Sequence, residues 1–189
     1  MTKLILASQS PRRRQLLAEA GYTFDVMPAS ESAECGICSK ETPPEMVARL
    51  AYQKAADVAR TLTAGLVLGS DTVAECVGQI LGKPKNRQHA GEMLRLQCGR
   101  SQRVYSGVCL WLRPDDRTAV DVDCTELKMA DLSDEQIEEY LDSGLWEGKA
   151  GAFGLQDRTG WVSVVRGSES NVVGLPLEML ERMLQEFDA

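Results

Sequence analysis

Three consecutive arginines near the N-terminus form the first group of residues that could do chemistry. Ser10 and Pro11, directly before them, predict the cap and first turn of a helix that follows a short strand. The N-terminus of such a helix presents free backbone N–H groups and the positive end of the helix dipole, which favour an anion. The guanidinium groups of Arg12 and Arg13 suit bidentate contact with phosphate oxygens. The segment therefore predicts phosphate binding, and a capped helix with solvated arginines is the simpler alternative.

Asp71 is the second candidate, because it follows an apolar strand predicted over Leu66–Gly69. A carboxylate at the carboxyl end of a central strand lies where open α/β sheets bind their ligands. It could coordinate Mg²⁺ or orient an attacking water. The alternative is an ordinary turn aspartate.

Two lysines could add positive charge to the same site. Lys54 shares a predicted helix face with Val47 and Leu50, and Lys83 precedes Pro84. A lysine among apolar neighbours usually extends its ammonium group into solvent. If both ammonium groups instead face a cleft, they provide point charges for a triphosphate.

The glycine-rich segment Gly148–Gln156 could contact a ligand closely. Glycine has no side chain to obstruct the approach of a ligand to the backbone. The amide of Gln156 offers a donor and an acceptor for a base edge. A set of turns without a ligand is the alternative.

Cys35 and Cys38 have the spacing of metal or redox ligands, but the sequence contains no second such pair and only one histidine, His89. A structural zinc site needs four ligands, so this pair does not predict one. The shortage of histidine also argues against a Ser-His-Asp or Cys-His hydrolase.

The composition limits the environment and the partners of the chain. Its 28 acidic and 21 basic residues leave a formal net charge of −7, which argues against non-specific nucleic-acid binding. No apolar run approaches the roughly 20 residues that span a bilayer, and Leu4–Ala7 is too short for a signal peptide. Six cysteines without an export signal favour reduced thiols. We therefore expect a cytoplasmic protein that binds neither nucleic acid nor membrane.

Alternating strand and helix signals predict the scaffold. We expect strands over 3–8, 22–27, 66–69, 102–112, 118–129 and 161–165, and helices over 11–20, 43–62, 87–97, 134–143 and 177–187. This mixture predicts an α/β domain with a mixed sheet flanked by helices. A single domain over 1–189, with two lobes around a cleft, fits the length, because a compact domain of this size buries roughly 70% of its unfolded surface.

The segments that contain the candidate residues resemble those of the Maf family of nucleoside triphosphate pyrophosphatases. Six blocks match in register along the chain: Leu6–Leu17, Arg49–Ala55, Leu68–Val73, Leu81–Pro84, Lys149–Gln156 and Asn171–Leu177. The resemblance implies a cytoplasmic α/β enzyme with a deep cleft between two lobes, similar to the inosine triphosphate pyrophosphatases. It also implies hydrolysis of a nucleoside triphosphate to the monophosphate and pyrophosphate with a divalent cation, usually Mg²⁺, and it suggests a homodimer.

The resemblance assigns roles to individual residues. It implies that Asp71 is the catalytic proton acceptor and that the basic residues Arg13, Lys54 and Lys83 bind phosphate. The family branch that acts on dTTP and UTP is matched by a set of three residues: Arg12, Thr72 and Gln156. The branch that acts on 7-methyl-GTP has Trp, Gln and Glu at those places.

Family members often carry an acidic residue in the loop after the second strand. Here that loop contains both Glu31 and Glu34, so the residue that would bind metal beside Asp71 stays open between them. Another departure is Ser106-Gly107, where the family has Thr-Gly; the hydroxyl is kept.

Two other functions stay open at this point. The chain could be a nucleotide-binding regulator of septum formation and cell division without significant turnover. It could also be a pyrophosphatase for modified nucleotides. Pyrophosphate release from dTTP or UTP tests the first alternative, and a panel of substrates tests the second.

Overall fold

The computed structural model describes residues 3–33, 41–157 and 159–188. The strands are β1 (Leu4–Leu6), β2 (Phe24–Val26), β3 (Gly65–Cys76), β4 (Gln79–Leu81), β5 (Ser101–Arg113), β6 (Arg117–Met129) and β7 (Val162–Arg166). The α-helices are α1 (Pro11–Glu19), α2 (Pro43–Ala59), α3 (Arg87–Gln97), α4 (Asp134–Asp142), α5 (Glu169–Val173) and α6 (Leu177–Asp188). Short 3₁₀ turns cover Glu31–Ala33, Ala150–Ala152 and Leu155–Asp157.

The strands form one mixed sheet in the order β2-β1-β3-β5-β6-β7. Strand β1 runs parallel to both β2 and β3, with Leu4 opposite Phe24 and Leu66. Strand β4 pairs antiparallel with the last residues of β3, and β7 pairs antiparallel with β6. The predicted α/β class with a mixed sheet is confirmed.

The helices begin where capping residues predict. Asn86 Oδ1 accepts a hydrogen bond from His89 N at 2.8 Å, which caps α3. Ser133 and Gln136 form a reciprocal capping box at the start of α4. Among the described residues, none of the helices has the length and apolar character needed to cross a membrane.

Strand β3 is longer than the sequence predicts, and this corrects the position of Asp71. The prediction ended the strand at Gly69, but it continues to Cys76. Val73, Ala74 and Cys76 are buried, and Ala74 pairs with Leu81 of β4, so packing and pairing extend the strand past the polar residues. Asp71 therefore lies inside a strand and not at its end. Helix α5 was also not predicted.

The chain divides into two compact units. The first comprises 1–72, 106–123 and 174–189. Alternate residues of β1 enter different apolar clusters: Leu4 and Leu6 pack with Leu17 and Leu180, whereas Ile5 packs with residues of α2. This alternation is the period of two that is expected of a strand with helices on both faces.

The second unit comprises 73–105 and 124–173. Its apolar core includes Leu94, Leu127, Ile137 and Leu141. Three aromatic rings pack against this core and against one another, with centroid separations of 5.4 to 5.9 Å: Tyr140, Phe153 and Trp161.

Candidate active site

In the first unit, helix α2 lies unusually close to the sheet. A Cβ atom at Gly69 would collide with the backbone of Ala51, and one at Gly107 would collide with the backbone of Val47. Both strand positions therefore have to be glycine for this packing. The close approach places Lys54, one turn beyond Ala51 on α2, over the strand β3.

Lys54 and Asp71 form an ion pair at this contact. The distance from Lys54 Nζ to Asp71 Oδ1 is 2.6 Å, and the side chains are 7% and 16% exposed. A buried ammonium group requires such a compensating charge. Among the described residues, Lys54 is the hydrogen-bond partner of this carboxylate, and Oδ2 accepts no bond. Since an ionised carboxylate has about four acceptor positions, Asp71 can still accept a proton or a hydrogen bond from a ligand or a water.

Arg13 lies at the centre of a second buried network in the first unit. Its Nε donates to Gly174 O at 2.8 Å, and its two terminal nitrogens donate to Ser8 Oγ at 3.2 Å and Thr72 Oγ1 at 3.1 Å. Thr72 Oγ1 in turn lies 2.7 Å from Ser106 Oγ. The network thus joins α1, β3, β5 and the segment before α6, and it fixes the side chain of Thr72.

Arg12 differs from its neighbour. It is half-buried at the start of α1, and its guanidinium group makes no hydrogen bond or ion pair with any residue in the described ranges. Its guanidinium donors are therefore open to a ligand. The helix itself begins as predicted, with Pro11 in its first turn and Ser10 as its cap.

Lys83 and Gln156 belong to the second unit. Lys83 is exposed just after β4 and has no ion-pair partner within the described part of the chain. The adjacent Gly82 O accepts a hydrogen bond from Gly151 N at 3.0 Å, which joins this segment to the glycine-rich stretch. The backbone of Gln156 lies in the 3₁₀ turn Leu155–Asp157, and its side chain lies outside the described part of the structure.

A second buried ion pair, Lys149–Asp157, was not predicted. The side chains are 6% and 4% exposed. Asp157 Oδ2 also accepts hydrogen bonds from the Tyr140 hydroxyl at 2.6 Å and from Gly154 N at 3.1 Å. A lysine inside the glycine-rich segment and an aspartate directly after it are the only signal that the sequence offers for this arrangement.

The two glutamates predicted as alternative metal ligands cannot be placed beside Asp71: Glu34 falls in a range that is not described, and the side chain of Glu31 is not described either. Cys35 and Cys38, which did not predict a metal site, lie in the same range as Glu34. Within the described ranges, no group of three or more His, Cys, Asp or Glu side chains could hold a metal. A cation that arrives on a polyphosphate needs only one or two protein carboxylates, and Asp71 fits that role.

Two cysteines are unsuited to nucleophilic chemistry. Burial raises the pKa of Cys109 to about 12 and also raises the pKa of Cys76. Only the thiolate is a strong nucleophile, so both thiols are inactive near neutral pH.

Comparison with known proteins identifies the fold and the family of the chain. The structure of a HAM1 protein from Coxiella burnetii has a TM-score of 0.53 at 17% identity and covers 98% of this chain and 100% of that one, so the two share an α/β fold. A family model described as Maf-like protein matches residues 3–187. The chain therefore belongs to the Maf family.

Two relatives carry the name dTTP/UTP pyrophosphatase. The relative from Rhodopirellula baltica is 63% identical over 186 residues, which are 98% of this chain and 82% of that protein. The relative from Elusimicrobium minutum is 39% identical and covers 98% of both chains.

Proposed function

We propose that this protein is a nucleoside triphosphate pyrophosphatase that hydrolyses dTTP and UTP to the monophosphate and pyrophosphate. The observation that carries the proposal is the 63% identity, over nearly the whole chain, to the R. baltica protein named for this activity. Three residues match the pyrimidine branch of the family and support the choice of base: Arg12, Thr72 and Gln156. Modified pyrimidine nucleotides are further candidate substrates.

In the proposed reaction, Asp71 is the proton acceptor. The oxygen of a water forms a bond to the α-phosphorus while the bond from that phosphorus to the bridging oxygen breaks. Pyrophosphate leaves with the electron pair, and the proton of the water passes to the open oxygen of Asp71. Lys54, at 2.6 Å from the other oxygen, holds the carboxylate in place and compensates its charge.

Basic side chains bind the phosphates in this proposal. Arg12, Arg13, Lys54 and Lys83 offset the triphosphate charge, which a protein of net charge −7 would otherwise repel. Phosphoryl-transfer catalysis depends mainly on such positioning and charge stabilisation. A divalent cation, Mg²⁺, bound to the triphosphate would neutralise further charge, with Asp71 as its protein ligand among the described residues.

A substrate panel tests the proposal. The purified protein is incubated with Mg²⁺ and each canonical nucleoside triphosphate, and with modified pyrimidine nucleotides, and pyrophosphate and orthophosphate are quantified separately. We expect pyrophosphate and a monophosphate from dTTP and UTP. Binding without turnover would support the regulator and overturn the proposal, and orthophosphate with a diphosphate would overturn it as well.

Labelled water tests the position of attack. In water enriched in ¹⁸O, attack at the α-phosphorus places the label in the monophosphate. Label in the pyrophosphate would show attack at the β-phosphorus and would contradict the proposed position of attack.

A further inference from the structure

The glycine-rich segment of the second unit needs an external constraint on its shape. Gly148 and Gly151 both have φ of 70°, in the left-handed region that glycine enters freely. A segment with this freedom would populate many conformations in isolation. The hydrogen bonds that restrict it are therefore informative about its function.

Two hydrogen bonds join the first and last residues of the Gly154–Asp157 turn. Asp157 N donates to Gly154 O at 3.0 Å, and Gly154 N donates to the Asp157 carboxylate at 3.1 Å. The backbone of Gln156 lies inside this turn. Its position therefore depends on the side chain of Asp157.

Asp157 is itself held by partners on both sides. Lys149 pairs with Oδ1, and the Tyr140 hydroxyl donates to Oδ2 at 2.6 Å. Tyr140 also packs against Phe153 at 5.6 Å, so the turn is linked to the core of the unit. Because the carboxylate accepts three hydrogen bonds and is 4% exposed, it has little capacity left for a substrate.

Gly151 ties the other half of the segment to its surroundings. Gln97 Nε2 donates to Gly151 O at 2.6 Å, and Gly151 N donates to Gly82 O at 3.0 Å. Within the described residues, Gly151 and Asp157 thus hold the glycine-rich segment at different points, and the contact of Asp157 lies next to Gln156.

We propose that Lys149, Asp157 and Tyr140 are positioning residues that hold Gln156 for recognition of the pyrimidine base. This inference rests on the proposed function, in which Gln156 contributes to the choice of base. The three residues do not touch the reacting atoms. They act through the backbone of the turn, so their loss changes substrate preference more than it changes the chemical step.

Asp157→Asn tests this inference. The variant removes the charge that compensates Lys149 and weakens the turn around Gln156. We expect kcat/KM for dTTP and UTP to fall ~100-fold, mainly through KM, because a displacement of about 1 Å can have that effect on a bound substrate. The ratio of kcat/KM for dTTP to that for dGTP should fall at least ~10-fold, which a general loss of folded protein would not cause.

A double variant, Lys149→Met with Asp157→Leu, separates positioning from stability. Replacing a buried ion pair by apolar residues of similar size is often neutral or stabilising. The unfolding temperature of the double variant should therefore be higher than that of Asp157→Asn and close to that of the unmodified protein. The preference for dTTP should stay lost. Recovery of the preference together with stability would overturn the inference, since the pair would then serve stability alone.

The control is Glu126→Gln, which breaks an exposed ion pair to Arg103 in the same unit. It should leave both kinetics and preference unchanged. If the unmodified protein releases no pyrophosphate from any nucleotide, the proposed function fails. If the unmodified protein does release pyrophosphate and Asp157→Asn keeps the ratio of kcat/KM for dTTP to that for dGTP, only the inference about positioning fails.

Discussion

The two units each contain a buried Lys–Asp ion pair, and the two pairs differ in what surrounds the carboxylate. Lys54 and Asp71 are 17 residues apart and join helix α2 to strand β3. Lys149 and Asp157 are 8 residues apart within one loop region. Asp71 is 16% exposed and Asp157 is 4% exposed.

The number of donors explains the difference in proposed roles. Among the described residues, Asp71 accepts from Lys54 alone, whereas Asp157 accepts from Lys149, Tyr140 and the backbone of Gly154. A carboxylate with open acceptor positions can take part in a reaction. One with most of its positions occupied, as in Asp157, fixes the backbone around it.

Asp71→Asn gives the strongest test of this comparison. The amide cannot accept the proton of the attacking water, so we expect pyrophosphate release from dTTP to fall ~10³-fold, within the range for the loss of a general base. Thermal unfolding should show that the variant still folds but is less stable, because the amide oxygen can keep the hydrogen bond to Lys54 but cannot compensate its buried charge. Asp25→Asn, at an exposed ion pair with Lys3, is the control and should keep full activity. Unchanged turnover in Asp71→Asn would mean that its open acceptor positions are not used in catalysis.

Arg13→Lys tests whether the buried hydrogen-bond network of Arg13 in the first unit stabilises the fold. Lysine cannot reproduce three hydrogen bonds in different directions to Gly174 O, Ser8 and Thr72. We expect a loss of at least ~2 kcal/mol in the free energy of unfolding, measured by urea titration, because at least one of the three bonds is lost and a hydrogen bond to a charged group contributes about 1.5–3 kcal/mol.

Arg14→Lys is the matched control for that measurement. Arg14 is the adjacent residue on α1, it is exposed, and it makes a longer contact of 3.4 Å to Gln9 O. Replacing Arg14 by lysine should change the free energy of unfolding little. Equal effects of the two substitutions would show that the buried network of Arg13 contributes no stability of its own.

Local signals predicted much of the scaffold. Helices α1, α3 and α4 begin behind Ser10, Asn86 and Ser133, because a cap depends on residues only three apart. The extent of β3 was underestimated because its last part is stabilised by burial and by pairing with β4, which a short window of sequence does not contain.

The sequence named candidate site residues but not the contacts between them. Lys54 and Asp71 were separate candidates, and the structure pairs them. By contrast, the network of Arg13 includes Gly174, 161 residues away, and the partners of Asp157 come from α4 and from an aperiodic loop. Contacts of this kind depend on the tertiary fold and leave no local spacing to detect.

Tyr140→Phe should have the smallest effect and gives the finest test of how Asp157 is held. The substitution removes the hydroxyl that donates to Asp157 at 2.6 Å and keeps the ring that packs against Phe153 and Trp161. We expect the free energy of unfolding to fall by ~1.5 kcal/mol, the lower end of the range for one hydrogen bond to a charged group.

Tyr52→Phe is the control, because that hydroxyl has no hydrogen-bond partner among the described residues and the side chain is exposed. Combining Tyr140→Phe with Asp157→Asn completes a double-mutant cycle, which measures the coupling between the two side chains. If the hydroxyl helps to hold the Asp157 carboxylate, removing the hydroxyl should matter less once the charge at Asp157 is gone. Additive effects would mean that the two groups stabilise the turn independently, and the contrast between Asp157 and Asp71 would then rest on Lys149 and the backbone of Gly154.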